Sequence, residues 1–254
     1  MRTLYAMPLL LTIVAAASNA TAQKRYFVDE VTDFTDNGCQ NLTDQNDVTS
    51  SLKTAMDTDS WTGIRFANSG AFPQDFFESC SPNYGAVGLD SSCADNKTLA
   101  VYAGHGSPWG FHFGFPHSGV CDVDFNSNMR LGSMNGSKAA YLMMLTSNGA
   151  SDVGMLGGQW ARQVFGFVLS PFISSNRPRD FFNATSTTVN SVAWLNTMAG
   201  LTPKVFSFSA SSTGCWNVHG AAKLKGNIFV SPRTGGPSCN QGQPLYFWCS
   251  TEAN

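Results

Sequence analysis

The sequence predicts one α/β domain built on a mostly parallel sheet. Three observations carry that expectation. Strand-like and helix-like segments alternate along the chain, with no internal repeat, low-complexity run or linker to divide them. Two apolar runs, Leu99 to Ala103 and Ala139 to Leu145, are each closed by glycine or polar residues, the pattern of strands buried on both faces. At 254 residues and 43% hydrophobic content, the chain is long enough to bury a sizeable core.

Taken in order, Tyr26 to Val31 reads as the first strand. Asp47 to Met56 reads as a helix, with Asp47 as its cap and Val48, Leu52 and Ala55 along one face. Trp61 to Phe66 reads as a second strand, and Leu99 to Ala103 runs into Gly104-His105-Gly106. Phe111, Phe113 and Phe115 alternate as on one face of a strand, with His112 on the other. Ala139 to Leu145 ends in Thr146-Ser147-Asn148-Gly149, Gly158 to Phe165 reads as helical, and Phe165 to Phe172 as the next strand. Thr187 to Ala199 shows the strongest helical stripe, closed by Gly200 and Pro203. Lys204 to Ala210 alternates again. The tail from Cys215, rich in Gly, Pro and Cys, carries strand-like Leu224 to Val230 and Leu245 to Cys249. The expected organisation is residues 1–22 as a leader, 23–210 as the α/β domain, and 211–254 as a disulfide-tied extension packed on it.

Composition excludes several classes. Charged residues make up 13% and aromatics 12%, which is incompatible with a disordered chain. The formal net charge of −2 gives no basic excess for binding nucleic acid. The only apolar segment near the N-terminus, Pro8 to Ala17, is too short for a membrane span. Preceded by Arg2 and followed by Ala20-Thr21-Ala22, it has the three parts of a secretory signal, with cleavage expected before Gln23. The expected location is therefore extracellular.

All seven cysteines (Cys39, Cys80, Cys93, Cys121, Cys215, Cys239 and Cys249) follow that segment, so disulfides are expected and at least one thiol is left over or pairs between chains. Cys80/Cys93 and Cys239/Cys249 are spaced to close short loops, although spacing does not determine connectivity. Sequons at Asn41, Asn96, Asn135 and Asn183 are candidate glycosylation sites.

The chemistry concentrates in Leu99 to Gly119, LAVYAGHGSPWGFHFGFPHSG. A buried strand running into Gly-His-Gly sets an imidazole at the carboxyl edge of the sheet, where open α/β sheets bind ligands. Glycine on either side lets the backbone turn and a substrate approach. Tyr102-Ala103-Gly104-His105-Gly106 resembles the Tyr-x-Gly-His-Gly signature of an uncharacterised family of the caspase/gingipain-like cysteine peptidase fold. Trp61-Thr62-Gly63, Asn68-Ser69 and Asp75-Phe76 resemble its lead-in. Trp160-Ala161-Arg162, Gly166-Phe167 and Val189 to Trp194 follow in the family's order, so the resemblance covers roughly residues 23 to 210. It implies a three-layer domain, with His105 as general base, Gly106 and nearby backbone amides at the oxyanion, and a peptide or protein as substrate or ligand.

One departure stands out. In peptidases of this fold the next core strand ends in the nucleophilic cysteine, whereas here it ends in Thr146-Ser147-Asn148 and no cysteine lies between Cys121 and Cys215. A thiol ionises appreciably near neutral pH; a serine hydroxyl does not, and generally needs a base held by a third group. The expectation is thus a secreted peptidase-like protein, degenerate or inactive as a cysteine peptidase, with Ser147 in the nucleophile's place. A non-enzymatic alternative uses the cleft around His105, Trp109 and His112 to bind a partner. No cofactor is expected; a further alternative is zinc on His105, His112 and His117 with Asp122 and Asp124, but no recognised zinc spacing is present.

Overall fold

The computed structural model describes residues 24–35, 38–42, 47–77, 88–89, 92–125, 129, 141–147, 163–167, 173–188, 190–198, 207–212 and 245–250. The expected leader, the helix of Trp160 to Arg162 and the strand of Leu224 to Val230 lie outside them. Seven strands form the main sheet: β1 (Arg25–Glu30), β2 (Thr62–Ala67), β3 (Leu99–Gly104), β7 (Tyr141–Thr146), β8 (Gln163–Phe167), β9 (Ser207–Ser212) and β10 (Leu245–Ser250). Their order is β10-β9-β8-β7-β3-β1-β2. The five strands from β2 to β8 pair in parallel, and β9 and β10 complete the sheet with antiparallel pairings. The chain is therefore an α/β protein with a mostly parallel sheet. A second sheet of three short strands, β4 (Gly106–Ser107), β5 (Gly110–His117) and β6 (Val120–Asp124), is inserted between β3 and β7.

Strand alternation divides the core into two halves. On one face Tyr26, Val28, Val101, Ala103, Tyr141, Met143 and Leu145 pack against three helices. These are α1 (Ser50–Thr58), through Leu52 and Met56; α2 (Arg177–Ala184), through Phe181 and Phe182; and α3 (Asn190–Met198), through Trp194 and Met198. On the other face Phe27, Val31, Ala100, Tyr102, Leu142 and Met144 pack under the small sheet and the short turn Pro73–Phe76. Phe111 and Phe113 are buried there, as the alternation in the sequence predicts, while Phe115 is only half-buried. The described layers are thus helices, main sheet and small sheet.

Several boundaries move. The helix expected from Asp47 begins at Ser50, because Asp47 stays outside and its carboxylate takes the Thr49 and Ser50 N–H groups at 3.2 and 3.0 Å. Residues Gln163 to Phe165, expected to be helical, are strand; paired between β7 and β9, that segment has its backbone bonds satisfied by neighbours. Helix α2 was not legible as a helix in so polar a segment. Pro178, placed in its first turn where no N–H is needed, starts it, and Phe181 and Phe182 bury it. The expected domain edge at residue 210 falls within β9, and β10 hydrogen-bonds to β9 along its length.

A buried ion pair ties α1 to the sheet. The Glu30 carboxylate, 1% exposed, accepts bonds from Val48 N–H at 2.6 Å, from the Thr49 hydroxyl, and from Arg65 Nη2 at 2.5 Å and Nε at 3.1 Å. Among the described residues no helix is long and apolar enough to cross a membrane.

Candidate functional site

The carboxyl edge of the sheet assembles the candidate site. Strands β3 and β7 are paired to their ends, with Gly104 opposite Thr146. His105 and Ser147 are therefore the first residues beyond two adjacent parallel strands, which lie about 4.8 Å apart. Both are half-buried. Gly104 has a φ of +156°, and a Cβ there would meet the Tyr102 hydroxyl at 2.6 Å. Gly106 lies directly on the neighbouring strand end: a Cβ would meet Thr146 Oγ1 at 2.1 Å and the Gly110 carbonyl at 3.1 Å. Both glycines thus serve close packing at this edge.

The His105 backbone is fixed from two sides. Its carbonyl accepts the His112 N–H at 3.0 Å and the Tyr102 hydroxyl at 3.2 Å, and the same hydroxyl also reaches the His112 carbonyl. Because His105 and His112 share a ladder bond, Gly106 and Phe111 form the next, non-hydrogen-bonded pair, which turns the Gly106 N–H away from β5. The His105 ring packs edge-on to Phe34, with ring centres 4.6 Å apart.

Phe34 lies in the segment leaving β1. Val31 N–H bonds to the Ala103 carbonyl at 2.8 Å, and Asn68 Oδ1 collects the N–H groups of Thr32 and Asp33 at 2.8 and 3.0 Å. The segment crosses β5 where a Cβ on Gly114 would lie 1.9 Å from the Asp33 carbonyl. A disulfide between Cys39 and Cys121 joins the same segment to β6.

The three imidazoles expected as a metal set go to three different partners. His112 Nδ1 meets Asp122 Oδ1 at 2.5 Å across the β5–β6 ladder. His117 stacks on Phe72 with centres 3.5 Å apart, and its carbonyl accepts the Gln74 side-chain amide at 2.8 Å; burial depresses the basicity of its ring. His105 meets Phe34. Among the described residues no three His, Cys, Asp or Glu side chains converge to hold a metal ion. Trp109, at the β4–β5 turn, is 57% exposed; its carbonyl is tied to Phe125 N–H at 2.8 Å, so the turn is anchored while the indole faces solvent.

The cysteines depart from what their spacing allowed. Cys93 is a free thiol, so no Cys80/Cys93 loop is closed, and Cys121 is bonded to Cys39. Of the sequons, Asn41 is exposed, Asn96 and Asn183 are half-buried, and Asn135 lies outside the described residues. A cavity of about 300 Å³, lined in part by Arg25, Cys93 and Lys97, sits over β1 and β2, away from His105. Sequence reasoning did not anticipate Phe34 at this edge, and it named Asn68 only within the lead-in of the resembled family. Asn68 carries one signal visible in hindsight, a side chain suited to the positive φ of 52° that it adopts. No family model matches the chain, and no curated protein matches it.

Proposed function

We propose that the chain is a secreted peptidase-like protein of the caspase/gingipain-like fold, in which a hydroxyl replaces the usual cysteine. The observation that carries this reading is the placement of His105 and Ser147 at adjacent strand ends, one residue past the Gly104–Thr146 pair. The general base and nucleophile of that fold occupy two such neighbouring ends. The strand order supports the same assignment, with β1, β3 and β7 side by side and Gly106 N–H free of its ladder to receive an oxyanion. In this reading His105 accepts the Ser147 proton, Ser147 Oγ attacks the peptide carbonyl, and the imidazolium returns the proton to the leaving amine. The Cys39–Cys121 disulfide supports an oxidising, extracellular location.

Cleavage of a diverse peptide library by wild type, His105→Ala and Ser147→Ala, each with and without chelator, tests the reading. The expected result is chelator-resistant cleavage abolished by either substitution. Unchanged cleavage in Ser147→Ala refutes the hydroxyl, and loss on chelation alone moves the chemistry to a metal. A second reading rests on the exposed Trp109 indole beside the same edge: a partner-binding protein without turnover. It is favoured if folded wild type cleaves nothing yet captures peptides, and if capture survives His105→Ala but fails in Trp109→Ala.

A further inference from the structure

Away from the carboxyl edge, the face of β1 under the small sheet holds a carboxyl group that the proposed chemistry does not use. Asp29 lies between Phe27 and Val31 on the face whose apolar members form one core half, and its register partner on β3 is Tyr102. It is fully buried, and neither carboxyl oxygen has a hydrogen-bond partner. An ionised carboxylate in that state bears the whole cost of desolvation with nothing to offset it.

The Pro73–Phe76 turn is packed onto the same spot. Phe76 sits edge-on to Phe27 at 5.7 Å and to Tyr102 at 6.2 Å between ring centres. The next residue back, Asp75, is also buried; it accepts Phe72 N–H at 3.2 Å and the Cys93 thiol, and it acts electrostatically on Asp29. We propose that Asp29 keeps its carboxyl proton in the folded protein, and that this proton latches the Pro73–Phe76 turn, with its buried Asp75, onto β1.

The groups facing the pair have defined parts. From β3 comes Tyr102, which burial holds as a neutral phenol, with Asp29 and then Asp122 on β6 adding to the effect. From the segment before β3 come Cys93, its thiol pushed up to about 12 chiefly by burial and then by Asp75, and Lys97, which opposes that shift. Burial raises both carboxyls above the ordinary range, for Asp29 with repulsion from Asp75 added. Cys93 also lines the cavity over β1 and β2.

Loss of that proton to solvent leaves a buried carboxylate without a hydrogen-bond partner, close enough to Asp75 to be repelled by it, and the turn must lift to hydrate it. The turn also grips the small sheet, through Gln74 to the His117 carbonyl and Phe72 on the His117 ring. The sheet that carries His112 and abuts His105 therefore loosens with it. The sign follows from proton counting: folded protein holds one proton more than unfolded above the ordinary aspartate range near 3.9, so the latch is complete at acid pH and weakens as pH rises through the raised range.

Hydrogen exchange of the full chain, followed by mass spectrometry from pH 5 to pH 9 and corrected for intrinsic rates, tests this. The opening equilibrium of residues 72–77 should rise about tenfold per pH unit within the titrating window, and Asp29→Asn should abolish that rise. The same slope in Asp29→Asn as in wild type overturns the proposal. The infrared spectrum of wild type gives a readout independent of whether the variant folds. A protonated-carboxyl stretch that persists at neutral pH and disappears in Asp29→Asn or at alkaline pH is the expected result; its absence from wild type at neutral pH also overturns the proposal.

Discussion

Replacing both Cys39 and Cys121 by serine should cost the protein a large part of its stability. The two residues are 82 apart in sequence, so their bond closes a long loop. Chain-entropy reasoning gives about 15 cal/mol/K for a loop of that size, or about 4.5 kcal/mol at 25 °C. Any other cross-link within the loop shortens it and lowers the figure, which makes a loss of about 2–4.5 kcal/mol the expected range. The double serine variant is preferable to reductant, because it removes this one bond and leaves every other cysteine untouched. Urea unfolding of wild type and variant, followed by tryptophan fluorescence, measures the difference directly. The loss should be accompanied by a drop in melting temperature on the order of 10 °C. A loss below about 1 kcal/mol would refute the reasoning. It would mean that Asn68 and the Val31–Ala103 bond already hold the segment leaving β1 in the unfolded ensemble or make the covalent tie redundant.

Two further outcomes follow from contacts at the sheet. Gly106→Ala, whose methyl would lie 2.1 Å from Thr146 Oγ1, should destabilise by about 1–3 kcal/mol, and adding Thr146→Ala should recover part of the loss in urea unfolding. Arg65→Met leaves the Glu30 carboxylate buried without its cation and should cost about 3–5 kcal/mol. By contrast Lys53→Met, which breaks an exposed pair with Asp57, should change stability by less than about 1 kcal/mol in the same assay.

The parallel sheet was legible because its central strands are hydrophobic throughout. Leu99 to Ala103 and Tyr141 to Leu145 are buried at every position, so no polar residue interrupts either run. His105 was legible as a site residue for a related reason: a polar ring between two glycines has no place in such a strand and marks its end. The small sheet was only half legible. Alternating Phe111 and Phe113 announce β5, but nothing local in Val120 to Asp124 says that it pairs with β5, because that pairing is satisfied across a turn and by burial on Tyr102 and Phe76. Phe34 at His105 was illegible because it depends on Asn68, more than thirty residues further on, folding the chain back. Helix α2 was hidden for the opposite reason. Arg179 and Asp180 pair at the surface, Arg177 donates to the Thr197 carbonyl, and only Pro178, Phe181 and Phe182 are buried.

The fate of the thiols bears on the chemistry at the carboxyl edge. A cysteine acts as nucleophile through its thiolate, so its use requires a free sulfur, an electropositive setting and access to the base. Cys121 fails the first condition, since its sulfur is bonded to Cys39. Cys93 fails the second: burial and the neighbouring Asp75 hold its proton in place, and Asp29 adds to the effect. It also lines a cavity over β1 and β2 with Arg25 and Lys97, residues at the amino ends of the strands, whereas His105 stands at their carboxyl ends. Position, not only reactivity, separates that thiol from the imidazole. At the end of β7 the chain offers hydroxyls, Thr146 and Ser147. Thr146 is buried, with its Oγ1 packed against Gly106, which leaves Ser147 as the described hydroxyl with room to meet a substrate. Acyl transfer at this edge would therefore depend on how the His105 ring is oriented, and Phe34, which packs on that ring, is one contact that holds it.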